Sequence, residues 1–329
     1  MTGENHPPLI IISGPTAMGK TNLSLSITDW LNNSNISAEI VNFDSLLFYR
    51  ELNIGTAKPD REERSRPPHH LIDVASAKNP INAFEFVEKA IPTIEDLRAQ
   101  GKIPVLVGGS AFYLRALMKE MYQSPEASEV SKRETQEFIQ QQGIQALREF
   151  LRLNDPQSFE ELHANDHYRI TRAYEHFKAT GRPLSEEKKR LEELEPYNLA
   201  KNTRHGWIFF HMHLDMPKDE HYPIIEQRAA KMVESGLTKE VQELLQRGFS
   251  GKEKPLQSVG YKETLNFLQA EWKDQQELIQ QIFIATRQLA KAQRTFFRKI
   301  GPKETFHPLR EQDRIFTWLT SELKKIGLL

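Results

Sequence analysis

Residues 14–21 read GPTAMGKT, directly behind the apolar run LIIIS and ahead of the helix-like stretch TNLSLSI. Every fixed position of G-x-x-x-x-G-K-[ST] is met, between a strand and a helix, which is the setting in which this pattern holds phosphate. Gly14 and Gly19 let Pro15, Thr16, Ala17 and Met18 curl so that successive N–H groups point inward, while Lys20 adds a point charge. Thr21, at the start of the helix, supplies a hydroxyl that can hold Mg²⁺. A diphosphate or triphosphate fits such a nest, but a phosphate loop does not by itself name a reaction.

A second group of residues offers acid–base chemistry. Asp44 follows Ile40, Val41 and Phe43 and emerges at a strand end, placed to ligate Mg²⁺, to take a proton from an acceptor, or merely to cap the following SLLFYR. The run IPVLVGGS at 103–110 ends without a carboxylate, so the water-positioning acid of an ATPase is not evident. Gly108 and Gly109 instead let backbone approach a ligand, and Ser110 adds a hydroxyl at that edge. The loop NIGTAKP at 53–59 carries Thr56 and Lys58.

Cations are concentrated late in the chain. Arg287, Lys291, Arg294 and Arg298 recur at helical spacing, which reads either as a solvated stripe or, since no acidic residue lies between 284 and 299, as a surface for diphosphate or an RNA backbone. The segment HYRITRAYE places Arg169 and Arg172 one turn apart beside Tyr168. His211 and His213 share a strand face without a third ligand, and His69 and His70 read as loop residues, so no structural metal is expected.

Positioning these groups requires an α/β core. The runs LIIIS, AEIVNFDS, IPVLVGGS and GWIFFHMHLDM are strand-like, and helical stretches lie between them, such as 82–101 with Phe84, Val87, Ile91, Ile94 and Leu97 on one face. Alternation of this kind predicts a parallel sheet flanked by helices, as in P-loop NTPases, with ligands at the carboxyl ends of the strands. A charged helical region at 122–202 reads as an insertion between core segments 1–121 and 203–329. With 44 basic and 45 acidic residues in 329, no global field attracts a polyanion, and the absence of cysteine excludes disulfides and thiolate chemistry. The polar start and short apolar runs predict a cytoplasmic protein without a membrane span.

The ordered motifs GPTAMGKT, FDSLLFYRELNIGTAKP, HHLIDV, VLVGGSAFYLRAL, NDHYRITRAYE, QSVGYKE and ATRQLAKAQ resemble those of the tRNA dimethylallyltransferases, over roughly residues 8–300. The resemblance implies that the loop holds dimethylallyl diphosphate with Mg²⁺ and that the prenyl group passes to N6 of the adenosine 3′ of the tRNA anticodon. In that reading Asp44 takes the amine proton, while Lys20, Thr21 and a cation at Lys218 stabilise the departing diphosphate. Carried over by motif, the tRNA contacts are Asp44, Ser45, Leu46, Leu47, Phe48, Tyr49 and Ser110, then Tyr168, Arg169, Ile170, Thr171 and Arg172, and finally Gln257, Ser258, Val259, Gly260, Tyr261 and Lys262. A monomer of bacterial type is implied.

Several positions depart from the family pattern. Lys218 and Ile224 stand where arginines are usual, GGS replaces GGT, Ala292 replaces an arginine in AKRQ, and Met18 replaces a small residue. Lysine keeps the charge but loses the bidentate fork. Two other readings therefore stay open: a diverged paralogue that binds tRNA with weak or altered prenyl transfer, and a P-loop kinase of a small metabolite.

Overall fold

The computed structural model describes residues 6–119, 129–192, 195–201, 204–269 and 274–329. The polar start at 1–5 and most of the stretch at which the charged region begins, 120–128, lie outside the described residues.

Leu9–Ser13 forms β1, and all five of its residues are buried, because a strand covered on both faces tolerates no polar alternation. It feeds the phosphate loop and then α1 (Lys20–Asn33). Next come β2 (Ala38–Asn42), β3 (His69–His70), α2 (Ala83–Ala99), β4 (Ile103–Gly108) and α3 (Ala111–Met118). After the insertion the chain returns through β5 (Phe209–Leu214), with β6 (Glu304–Phe306) completing the sheet. The strands run in the order β3-β2-β4-β1-β5-β6, every pairing parallel. The expected α/β sheet is present, and it brings the phosphate loop after β1, Asp44 after β2 and the glycine pair at the end of β4 to one edge.

Two compact units divide the chain: Met1–Met118 with Tyr197–Leu329, and Lys119–Pro196. The second holds α4 (Glu129–Gln142), α5 (Ile144–Asn154), α6 (Pro156–Glu161), α7 (His167–Thr180) and α8 (Leu184–Glu192). It has its own core of Leu147, Leu151, Leu162, Ile170, Ala173 and Leu184. The sequence boundary at 202 is late: Leu199 donates its N–H to the Gly301 carbonyl at 2.6 Å and Gly301 donates to Tyr197, which ties this stretch to the first unit. In the first unit, α9 (Lys218–Glu234), α10 (Leu237–Gln246), α11 (Tyr261–Leu268) and α12 (Gln275–Phe297) follow β5, and α13 (Gln312–Lys325) ends the fold.

Three local expectations change. His69 and His70 are not loop residues but β3, paired with Ile40 and Val41. Helix α2 turns Phe86 rather than Phe84 into the core, leaving Phe84 half exposed; its start is fixed by a capping box in which Asn82 and Glu85 exchange hydrogen bonds. SLLFYR is a series of turns, so Asp44 caps no helix.

Candidate active site

The phosphate loop depends on glycine where it touches β5 and where it enters α1. A Cβ on Gly14 would lie 2.5 Å from the Leu214 carbonyl oxygen, and Gly19 has a left-handed φ of +73°. Met18 is buried in the core beneath the loop, filling space beside Ile10 and Ile12. Lys20 Nζ donates to the Pro15 carbonyl at 2.7 Å. Burial pushes its pKa down to about 8 against the pull of Asp44, with Arg228 adding to the depression. The N–H groups do not all point inward as expected: that of Thr16 is given to Gln293 Oε1 at 2.8 Å.

Asp44 is held by its neighbours. Asn42 Oδ1 accepts the Asp44 N–H at 2.8 Å, and Asn42 Nδ2 donates to the carbonyls of Asp44 and Leu71. Asp44 Oδ1 accepts the Leu46 N–H at 3.2 Å, which shapes the turn, whereas Oδ2 lies toward Gly109. A Cβ on Gly109 would sit 3.5 Å from Oδ2 and 2.7 Å from Gln293 Nε2, and one on Gly108 would strike the Phe43 ring at 2.5 Å. The glycine pair is therefore what lets β4 pass between Asp44 and the late helix α12.

Two cavities meet here. One, of about 410 Å³, is lined by the loop residues Thr16–Thr21 and by Lys58, His69 and Lys231. The other, of about 310 Å³, has an apolar wall of Ile225, Ala229, Met232, Ile282, Leu289 and Phe296. Thr16, Asp44, Thr56 and Arg228 line both. Arg228, which the sequence reading passed over, is the cation opposite Asp44; burial lowers its pKa and Asp44 opposes that. Its signal was the helical spacing of His221, Ile225 and Arg228 along α9, which sets all three on one face.

Other predicted residues fall elsewhere. Lys218 is exposed at the first turn of α9 and lines neither cavity. Arg287 stacks its guanidinium over Tyr222 at 4.2 Å, also outside both cavities. The basic stripe is broken, since Arg294 is buried against Asp215 while Lys291 and Arg298 are exposed. Among the expected tRNA contacts, Ser45, Leu46, Ser110, Val259 and Gly260 line the smaller cavity and Leu47 the larger. Phe48 and Tyr49 are buried, Phe48 stacking on Phe86, and Tyr261 is fully buried with its hydroxyl donating to Glu240 at 2.6 Å. These three cannot touch RNA in this arrangement. Gln257 and Ser258 bond to the carbonyls of Gly251 and Pro255, and Lys262 is exposed. In the insertion unit Ile170 is core, Thr171 is half-buried, Arg172 pairs with Glu175, and Tyr168 and Arg169 are about 70% exposed, Tyr168 at 71%.

Comparisons with known proteins give the family. A family model described as IPP transferase matches residues 47–300. The tRNA dimethylallyltransferase 2 of Geotalea uraniireducens is 37% identical over 302 residues, covering 90% of this chain and 91% of that protein. The tRNA dimethylallyltransferase of Geobacter metallireducens is 37% identical over 303 residues, covering 91% and 92%. The crystal structure of a tRNA isopentenylpyrophosphate transferase from Staphylococcus epidermidis superposes with a TM-score of 0.68 at 28% identity, covering 97% of this chain and 99% of that one. With the phosphate loop, the strand-end acid and the match along most of its length, the chain belongs to the IPP transferase family.

Proposed function

We propose that this protein transfers a dimethylallyl group from dimethylallyl diphosphate to N6 of the adenosine 3′ of the anticodon in tRNA. The observation that carries the proposal is the junction of the two cavities at Thr16, Asp44 and Arg228, where a phosphate loop and a carboxylate face one space. The names borne by the relatives support the same reaction, and family membership leaves the small-metabolite kinase without support.

In the proposed reaction the N6–C1 bond forms as the C1–O bond breaks, and the bonding pair leaves with diphosphate. Asp44 Oδ2, the oxygen not used by the turn, takes the N6 proton. Lys20 and Arg228, both partly buried, balance the charge that builds on the leaving group. The adenine has to leave its stack to enter, which costs a few kcal/mol. Ser45, Ser110 and Gly260 line the cavity it would enter.

Mg²⁺ fits the donor set here. Among the described residues no group of three His, Asp or Glu could form a protein cage, whereas Thr21, which carries a hydroxyl, lines the larger cavity. A single protein oxygen suits an ion bound mainly by phosphate and water. When bound, the ion neutralises diphosphate charge. Among the described residues no helix is long and apolar enough to cross a membrane, and a cytoplasmic monomer is the arrangement we propose.

The test is incubation of purified protein with Mg²⁺, dimethylallyl diphosphate and tRNA bearing adenosine 3′ of the anticodon, followed by nucleoside mass spectrometry. Prenylated adenosine at that position is expected. Bound tRNA with no product would overturn the reaction and favour the diverged paralogue.

A further inference from the structure

Both peptide groups of Thr16 are taken by side chains from helices that follow it by more than two hundred residues. Its N–H goes to Gln293 Oε1 at 2.8 Å, and its carbonyl lies 2.9 Å from His221 Nε2. Gln293 is itself oriented, since its Nε2 donates to the Gly109 carbonyl at 3.0 Å.

The tautomer of His221 follows from its other neighbour. Arg294 Nη2 stands 2.9 Å from His221 Nδ1, and a guanidinium has only donors, so Nδ1 accepts and Nε2 carries the proton. Nε2–H therefore donates to Thr16. Arg294 is fixed in turn: its Nε donates to Asp215 Oδ1 at 2.7 Å and its Nη2 to the Met216 carbonyl. Both Arg294 and His221 are buried. Lys20 and Asp215 are the other charged groups that bear on His221, and burial, the largest effect, holds the ring neutral.

We infer that His221 and Arg294 are positioning residues for the phosphate loop, locking Thr16 so that its side chain is presented where the two cavities join. The chain of contacts runs Asp215 to Arg294 to His221 to Thr16, linking the end of β5, α12, α9 and the loop. With the Thr16 amide and carbonyl both committed, its hydroxyl is the group it has left to offer a ligand. A loop pinned at this point is ordered before the diphosphate arrives, so ligand binding does not have to supply that order.

This inference rests on the loop binding diphosphate, and the experiment separates the two. Mg²⁺ with inorganic diphosphate is titrated calorimetrically into native protein, His221→Gln and His221→Asn, with donor KM and kcat measured alongside. Glutamine reaches the Thr16 carbonyl with its amide N–H; asparagine carries the same amide one methylene shorter and stops short. Affinity near native for glutamine and about tenfold weaker for asparagine, with donor KM rising to match and tRNA affinity unchanged, is expected for one lost buried hydrogen bond. Arg294→Met, which frees the ring to take the other tautomer, should match asparagine, and combining the two should weaken binding little further. Equal affinities for the glutamine and asparagine variants would overturn the inference alone. Native protein that binds no diphosphate would overturn the proposed function and this inference with it.

Discussion

Gly55 lies against the ring of Tyr261 so closely that a Cβ on it would be 2.5 Å from the ring edge. This contact joins the NIGTAKP loop to the VGYKE segment. Glu240 seals it by accepting the Tyr261 hydroxyl and the N–H groups of Asn53 and Ile54. Gly55→Ala is expected to cost about 1–3 kcal/mol through overpacking. Tyr261→Phe, which leaves Glu240 short of a buried partner, should cost about 1–2 kcal/mol. Thermal unfolding of both variants checks this, and tRNA affinity measured on folded Tyr261→Phe should stay native if the residue is core.

Removing the proposed base should separate binding from chemistry. Asp44→Asn is expected to lower single-turnover transfer by roughly 10²–10⁴-fold while tRNA still binds. A near-native rate would mean that another group takes the proton.

The two candidate cations can be told apart by donor KM. Arg228 sits between the cavities, and Arg228→Gln should raise donor KM by about tenfold or more. Lys218 is exposed and outside both, so Lys218→Ala should change it by no more than about twofold.

Acid should weaken the fold through three buried histidines. Ser13 Oγ lies 2.7 Å from His211 Nε2 and 2.9 Å from His213 Nδ1. Burial, chiefly, pushes His211 from the ordinary 6.5 to about 3, and His213 and His221 to about 4. In that interval the unfolded chain binds protons that the folded chain refuses, so stability is full above pH 6.5 and declines as pH falls toward 4. Denaturant midpoints measured from pH 7.5 to about 4.5 should fall, and His213→Gln should flatten the slope.

Neighbours on α7 should behave in opposite ways. Ile170→Ala empties a core site and is expected to cost about 2–5 kcal/mol. Tyr168→Ala should leave stability within about 0.5 kcal/mol and weaken tRNA binding, measured by filter retention.

What could be read from the sequence was local. The phosphate loop and the strand-end Asp44 each sit within about ten residues, where spacing speaks directly, and the helix–strand alternation is read one element at a time. β3 and β6 have two and three residues, too few for any periodicity to show. A motif likewise does not distinguish the residues that touch a ligand from those that hold them, and so Phe48, Tyr49, Ile170 and Tyr261 read as contacts although they are core. His221 and Gln293 gain meaning only when α9 and α12 are folded beside Thr16, an encounter across more than two hundred residues of chain, and the same folding turns Arg294 from a member of a basic stripe into the buried partner of His221.

The strand order carries one more consequence. β4 lies between the strand that feeds the phosphate loop and the strand that ends at Asp44. Adjacent strands are spaced by roughly 4.8 Å, so the two turns stand about two such steps apart. The sheet thus acts as a ruler: the width of one intervening strand sets how far the Asp44 carboxylate stands from the phosphate loop.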